Sequence, residues 1–172
     1  MKKNNKGFTL IELIATITIL GIIMLVAIPN IMSTSIKSKN RIYVNDATKL
    51  VSLSKYKFES DPDIEKPSGL TCIKIPLSSL DQTELQKGPE GGVYDLNDSY
   101  VVIGYDNNES SPNYKTYVYY VQLRENYKST SKGIPLVKYD DLLTKNDKNS
   151  LVKSTGWKSV PSDYSAGCTP VN

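Results

Sequence analysis

The sequence has no histidine and only two cysteines, and this composition excludes several kinds of catalytic and metal-binding site. Without histidine among its 172 residues, the chain lacks both the usual general base and the commonest metal ligand. Its two cysteines do not complete a structural zinc site alone. The sequence also has no catalytic triad, paired-carboxylate site or Gly-rich phosphate loop. We therefore predict a protein that is not an enzyme and uses no cofactor.

The charge of the chain is balanced except at its N-terminus. The basic residues number 21 and the acidic residues 18. Three of the bases, Lys2, Lys3 and Lys6, lie in residues 1–7, which contain no acid. The remaining 18 bases equal the acids in number. Because a phosphate backbone is bound by a strongly basic surface, this balance argues against a nucleic-acid partner.

A long apolar run follows these lysines. Residues 8–28 read FTLIELIATITILGIIMLVAI and contain one charged side chain, Glu12. At about 1.5 Å per residue, a helix of this length crosses the ~30 Å hydrocarbon core of a bilayer. Basic residues before the run and none directly after it predict a cytoplasmic N-terminus, with the rest of the chain outside.

Two ordinary targeting segments fit this run only in part. A secretory signal peptide has a shorter apolar stretch followed by a small-residue cleavage site, and no such site follows residue 28. A plain signal anchor fits the length but leaves Glu12 unexplained, because a charge in hydrocarbon costs about 2.5–3.5 kcal/mol on insertion scales. A carboxylate in this position therefore indicates a function and requires a partner.

The residues around Glu12 suggest that function. Residues 7–13, Gly-Phe-Thr-Leu-Ile-Glu-Leu, resemble the class III prepilin signal of type IV pilins and pseudopilins. In that family a membrane peptidase cuts after the glycine and methylates the new N-terminus. The resemblance implies cleavage between Gly7 and Phe8, N-methylation of Phe8, and pairing of Glu12 with the new ammonium group of a neighbouring subunit, which sets the register of packing.

The resemblance also implies a pilin-like α+β fold, with a long N-terminal α-helix packed on an antiparallel β-sheet. Gly21 and Pro29 lie where the family often has residues that make the helix flexible. Apolar residues recur at helical steps from Ile36 to Phe58, and Asp61 with Pro62 ends the pattern. The predicted segments are the leader (1–7), the transmembrane and filament-core half of the helix (8–28), its amphipathic half (29–60), an αβ-loop connector (61–92) and a C-terminal β-sheet region (93–172).

Two strands are predicted in the C-terminal region. Residues 100–105 and 114–123 are rich in Tyr, Val and Ile, and the polar segment between them has the composition of a turn. We expect a hairpin whose second strand packs one face on the helix and leaves a tyrosine-rich outer face. Residues 134–139 are a candidate third strand, which Pro135 places at an edge or a strand start.

The two cysteines, Cys72 and Cys168, lie in the part predicted to be outside the cytoplasm, where disulfides persist. A bridge between them would contribute about 4–5 kcal/mol by the loop-entropy argument. Two free thiols are the alternative. No metal site is predicted, because the two acidic groups lack the spacing of a calcium loop. These groups are Asp61, Asp63 and Glu65, and Asp106, Asn107 and Glu109.

The favoured function is that of a type IV prepilin, a structural subunit that polymerises through its N-terminal helix. The resemblance implies as partners other pilin subunits, the prepilin peptidase and methyltransferase, the pilus assembly platform, and the membrane before assembly. The protein would leave the cytoplasmic membrane for an extracellular pilus with a role in adhesion or motility. A pseudopilin of a type II secretion or DNA-uptake competence system is the alternative. An enzyme or solute-binding domain on a signal anchor is a third class, but it lacks catalytic residues.

Overall fold

A computed structural model describes residues 8–164 and 167–171. The chain divides into two units, Met1–Ser38 and Lys39–Asn172, and the long helix α1 (Leu10–Ser60) contains residues of both. The predicted leader residues, Lys2, Lys3, Lys6 and Gly7, lie outside the described residues. The helix begins and ends close to the predicted positions, and it is continuous through Pro29.

The second unit packs one face of α1 on a sheet. The buried helix side chains include Tyr43, Ala47, Leu50, Val51 and Phe58, which recur at helical steps. They share one core with sheet residues such as Ile75, Val101, Ile103, Val121 and Leu123. The predicted α+β arrangement is therefore confirmed. The prediction began the buried stripe too early, because Ile36 is 52% exposed.

The sheet of the described residues has six strands, β1 Cys72–Pro76, β2 Val93–Tyr94, β3 Tyr100–Tyr105, β4 Tyr117–Tyr127, β5 Thr130–Lys138 and β6 Thr169–Pro170, and a short helix, α2 (Tyr139–Thr144), follows β5. Strand β4 pairs with β3 and β2 along one edge and with β5 along its other edge. Strand β1 pairs with β3 on the side away from β4, and β6 pairs with β1. All pairs are antiparallel except β1–β6, so the sheet is mixed rather than antiparallel as predicted.

The predicted hairpin is confirmed by the pairing of β3 with β4, and the third strand is found as edge strand β5. The segment predicted as a connector, 61–92, differs from expectation because it contains β1. The alternation of Cys72, Ile73, Lys74 and Ile75 spans too few residues to be recognised as a strand between the flanking prolines.

The tyrosine-rich outer face of the sheet is buried, which corrects the prediction. Tyr100 and Gln122 are almost inaccessible, and Tyr120 is only 9% exposed. The C-terminal tail covers them: the Tyr100 hydroxyl donates to the Lys158 carbonyl, and the Gln122 side chain accepts from the Lys158 amide at 3.1 Å. The sequence pattern of the tail is irregular, so it gave no sign that the tail forms a second layer.

The disulfide between Cys72 and Cys168 is present and fastens this tail to β1. The bonded residues are 96 apart in sequence. Val171, just beyond the bridge, donates its amide to the Lys74 carbonyl at 2.8 Å. The bridge and the β1–β6 pairing therefore hold the tail at the same edge of the sheet.

Two of the three strands that have a single partner in the sheet contain a proline, and the third, β2, contains none. Pro135 lies in β5 and Pro170 in β6. Neither residue has an amide hydrogen to offer to a further strand. Part of the β5 edge is also covered, because Gly133 exchanges two backbone hydrogen bonds with Lys153. Prolines and covering segments are common means of protecting a sheet edge from pairing with another chain.

Candidate functional site

The start of α1 is closed by a reciprocal set of hydrogen bonds. The backbone amide and the hydroxyl of Thr9 each donate to Glu12 Oε2 at 2.9 Å. In return, the amide of Glu12 donates to the Thr9 hydroxyl oxygen at 3.3 Å. This is a capping box, in which the first and fourth residues satisfy each other's otherwise unpaired groups. Sequence reasoning missed Thr9, although the Thr-x-x-Glu pattern was readable.

Glu12 therefore has a local partner, but only one of its two carboxylate oxygens is used. Within residues 8–164 and 167–171, Oε1 of Glu12 makes no hydrogen bond or ion pair. The carboxylate lies one turn from Phe8, whose side chain is 86% exposed. A cation close to Phe8 on another chain would find one carboxylate oxygen oriented by Thr9 and the other open.

The remaining polar side chains of the apolar run bond to their own helix. The hydroxyl of Thr16 donates to the Leu13 carbonyl at 2.8 Å, and that of Thr18 donates to the Ile14 carbonyl. Such bonds satisfy a hydroxyl without water, which is the condition for placing it in lipid. These threonines therefore do not oppose a hydrocarbon environment.

The two predicted flexibility positions differ in their surroundings. Pro29 removes one amide donor from the helix, and the side-chain amide of Asn30 donates to the Val26 carbonyl at 3.1 Å in the same turn. At Gly21, an added Cβ would meet nothing within 4 Å. Nothing within a single described chain therefore requires glycine at position 21.

The N-terminal part of α1 has the properties of a membrane span. Within the described residues, it is the one helix long and apolar enough to cross a bilayer, and none of its most apolar window is buried. Large apolar side chains such as Leu10, Ile11 and Leu25 are exposed by more than two thirds. A helix that is apolar on every side is stable only in lipid or among other helices.

A second polar site, absent from the sequence prediction, lies in the core of the globular unit. Glu125 is fully buried on the inner face of β4. Its carboxylate accepts hydrogen bonds from the Tyr43 hydroxyl and from the amides of Gly92, at 2.6 Å, and Glu90, at 3.3 Å. Glu125 therefore holds residues 88–92 against α1. The sequence did contain a signal for this site, because Glu125 alternates in step with the core-facing residues Val121 and Leu123.

Two further groups surround Glu125. The Tyr94 hydroxyl donates to Asp46 at 2.7 Å, and burial raises the pKa of the Asp46 carboxyl. Glu90 lies between two ammonium groups, with its oxygens 2.6 Å from Lys39 and 2.6 Å from Lys132. Hydrogen bonds from these lysines lower the pKa of Glu90. The arrangement ties α1, the 88–92 loop and β5 together, which is a structural role.

The acidic groups considered for calcium are used in turns. Asp61 accepts the Asp63 amide at 3.0 Å, and Asp106 accepts the Asn108 amide at 2.9 Å. Across the described part of the chain, no cluster of Cys, Asp and Glu side chains has the arrangement needed to hold a metal ion.

The fold is α+β, and the exposed apolar part of α1 fits anchoring in a membrane. A family model described as the prokaryotic N-terminal methylation motif matches residues 2–28. No curated protein and no solved structure matches the chain. The chain therefore carries the class III prepilin signal that type IV pilins and pseudopilins share.

Proposed function

We propose that the chain is the precursor of a type IV pilus subunit. The observation that carries the proposal is the methylation motif at residues 2–28, together with a carboxylate on an apolar helix that has one open oxygen. A membrane anchor alone needs no such group, because an unpaired charge opposes insertion. A subunit that meets copies of itself supplies the missing partner.

Processing and assembly follow from the same residues. Prepilin peptidase cuts between Gly7 and Phe8, and this cleavage creates a new ammonium group on Phe8. The enzyme then methylates that amino group, which keeps its positive charge. That ammonium pairs with Oε1 of Glu12 on a neighbouring subunit. Because a paired buried charge costs far less than an isolated one, the pair sets the register of adjacent helices. The lysines at 2, 3 and 6 orient the precursor, and the assembly platform transfers it from the membrane to the filament.

The remaining segments have separate roles in this proposal. Residues 8–28 anchor the subunit in the membrane and then form the filament core, while Gly21 and Pro29 let the helix adjust. Residues 29–60 carry the globular unit, which coats the filament. The proline-bearing edges of the sheet support assembly through helices, since they disfavour joining of sheets between neighbours.

The test is intact-mass and N-terminal peptide mass spectrometry of protein sheared from the cell surface, combined with electron microscopy. We expect a chain that begins at Phe8 with one added methyl group, in preparations that contain filaments. A pseudopilin is indicated if the chain is processed but no filaments are seen, and if deletion of its gene stops protein export or transformation. A chain that retains residues 1–7 and stays in the membrane contradicts both functions.

The assembly step is tested with Glu12→Gln, which keeps the size of the side chain and removes its charge. The variant is expected to reach the membrane and to form few or no filaments, because the neighbour's ammonium loses its anionic partner. Glu59→Gln is the matched control, since Glu59 is an exposed acid near the other end of α1. Normal filaments from Glu12→Gln contradict the pairing.

A further inference from the structure

The outer face of the sheet has a groove that the proposed function does not use. It lies between the β3–β4 loop and the C-terminal tail, and we call it the outer groove. Its main hollow has a volume of about 440 Å³ and is lined by Asp106, Tyr120, Lys138 and Asp163 among others. An adjoining hollow of about 350 Å³ shares the last three of these residues. Ligand sites commonly have volumes of this order.

Two carboxylates in the groove are held in fixed orientations. Asp106 accepts the Asn108 amide on one oxygen and the Ser111 hydroxyl on the other. Asp163 accepts the Tyr120 hydroxyl and the Ser162 hydroxyl. Each oxygen retains acceptor capacity beyond these bonds. The hydrogen bonds to Asp106 lower the pKa of its carboxyl, so it is an ionised acceptor at neutral pH.

Donors lie beside these acceptors. Lys138 lines both hollows, and it forms no ion pair with any described residue. The exposed amides of Asn107 and Asn108 line the main hollow. The lining therefore contains both acceptors and donors, as a polyhydroxylated ligand requires, because each of its hydroxyl groups both donates and accepts.

The charges in the groove are nearly balanced. The two hollows contain three acids, Asp106, Asp141 and Asp163, and two bases, Lys138 and Lys158. A phosphate or sulfate polymer would meet more acids than bases, and a lipid tail would remove water from the charged groups of Asp106, Lys138 and Asp163. This composition favours a neutral, hydrogen-bonding ligand.

Apolar surface is also available at the rim. Leu70 lines the main hollow and is 76% exposed, and part of Tyr105 is accessible beside it. Sugar rings present hydroxyl groups at their edges and C–H groups on their faces, so they match a polar groove with an apolar rim. We propose that the outer groove binds a short neutral oligosaccharide.

The proposal rests on the proposed function for its biological setting. If subunits assemble through α1, every copy in the filament carries this groove on the sheet face that α1 does not cover. The groove would then repeat along the filament, and repeated weak sites give strong attachment through multivalency. Binding by one subunit does not depend on filaments.

The test uses the full processed chain in detergent and a printed array of neutral oligosaccharides, two to four hexose or N-acetylhexosamine units long. A sulfated set on the same array serves as the anionic comparison. We expect binding to at least one neutral class and weaker or no binding to the sulfated set. Absence of binding to every neutral oligosaccharide, or preference for the sulfated set, overturns the proposal.

Two variants locate the site. Asn107→Ala and Asp163→Asn should each weaken binding about fivefold or more, as the loss of one or two ligand hydrogen bonds predicts. Asn97→Ala is the matched control, because Asn97 is an exposed asparagine in a turn outside the groove. Unchanged binding in both groove variants places the sugar elsewhere and overturns the proposal.

The same variants separate this proposal from the pilus proposal. Asn107→Ala cells should form normal filaments, as counted by electron microscopy. If the wild-type protein forms no filaments but the detergent preparation binds sugar at the groove, the pilus proposal fails and the groove stands. If residues of the groove lose hydrogen-exchange accessibility on assembly, a neighbouring copy covers it, and the sugar site is excluded.

Discussion

The ring of Tyr164 lies directly against the backbone of Gly104. A Cβ at position 104 would be 2.1 Å from the Tyr164 hydroxyl oxygen and 2.2 Å from the ring carbon that bears it. Tyr164 is buried and donates a hydrogen bond to the Tyr105 carbonyl at 3.2 Å. Burial raises its pKa to about 12, so the hydroxyl remains a donor at neutral pH.

Gly104→Ala is expected to destabilise the tail layer, because the tyrosine ring must leave its site. Overpacking of this kind costs about 1–3 kcal/mol of the free energy of unfolding, measurable by chemical denaturation in detergent. The Gly104→Ala/Tyr164→Ala double variant should lose less than the sum of the single variants, because the clash is absent. If the double variant loses the sum of the two single-variant losses in free energy of unfolding, Gly104 and Tyr164 are not in contact.

Reduction of the disulfide between Cys72 and Cys168 should lower the free energy of unfolding by about 2–5 kcal/mol, since a long loop is released in the unfolded chain. The comparison is denaturation with and without reductant. The Cys72→Ser/Cys168→Ser variant should match the reduced wild type and show no response to reductant. An oxidised protein no more stable than the reduced one contradicts the prediction.

The acid stability of the protein should depend on Glu90. Its two lysine partners lower its pKa in the folded state, so its stabilising contribution is complete above its ordinary value of 4.5 and is lost as the pH falls further. Glu90→Gln should therefore lose less stability than wild type when the pH falls below about 4.5 in a denaturation series.

Glu84→Gln is the matched control for Glu90. Its carboxylate lies 3.7 Å from the Lys49 ammonium, and both side chains are largely exposed. Exposed pairs contribute little to stability, so this variant should follow wild type through the acid range. If the free energy of unfolding falls equally with pH in Glu90→Gln and in wild type, Glu90 is not responsible for the acid sensitivity.

The first turn of α1 should depend on Thr9. Thr9→Ala removes the hydroxyl of the capping box and costs about 1 kcal/mol locally. We expect the Leu13 amide, which donates to the Thr9 carbonyl at 3.2 Å, to exchange with solvent about fivefold faster in detergent. Thr16→Ala is the control, because the Thr16 hydroxyl bonds to a carbonyl within its own turn. Equal exchange in both variants contradicts the cap.

Gly21 should matter for the assembly and not for the single chain. Gly21→Val meets no atom within the chain at its Cβ, so the detergent-solubilised variant should keep its helix content by circular dichroism. If neighbouring helices approach closely at this position, as small residues permit, the number of filaments should fall. Ile19→Val, at an exposed position of the same helix, should assemble normally. Normal filaments from Gly21→Val would show that the glycine is not a packing contact.

Periodicity and composition predicted the elements that bury a regular pattern. The helix face from Tyr43 to Phe58 and the β3–β4 hairpin were predictable because their apolar residues alternate in the period of the element. The disulfide was predicted as one of two states, because the chain has two cysteines and a predicted extracellular location. The motif around Glu12 predicted the methylation signal, which the family model matches at residues 2–28.

Long-range contacts of irregular segments were not predictable. Nothing in the tail indicates that Tyr164 covers Gly104, because the tail has no period and its partner lies 60 residues earlier. Glu125 is buried between Tyr43 of α1 and the amides of Glu90 and Gly92, which belong to one loop. Its partners depend on the tertiary arrangement, which local propensity does not encode.

The prolines in β5 and β6 have a consequence for how readily subunits of the proposed filament could separate. Where backbone edges join, chains pass into a continuous sheet that is held by many identical hydrogen bonds and rarely dissociates. Pro135 and Pro170 interrupt that route at the edges formed by β5 and β6. Copies crowded side by side are then held by side-chain contacts, which can be broken one subunit at a time. In the proposed filament, contacts of this kind would keep assembly reversible.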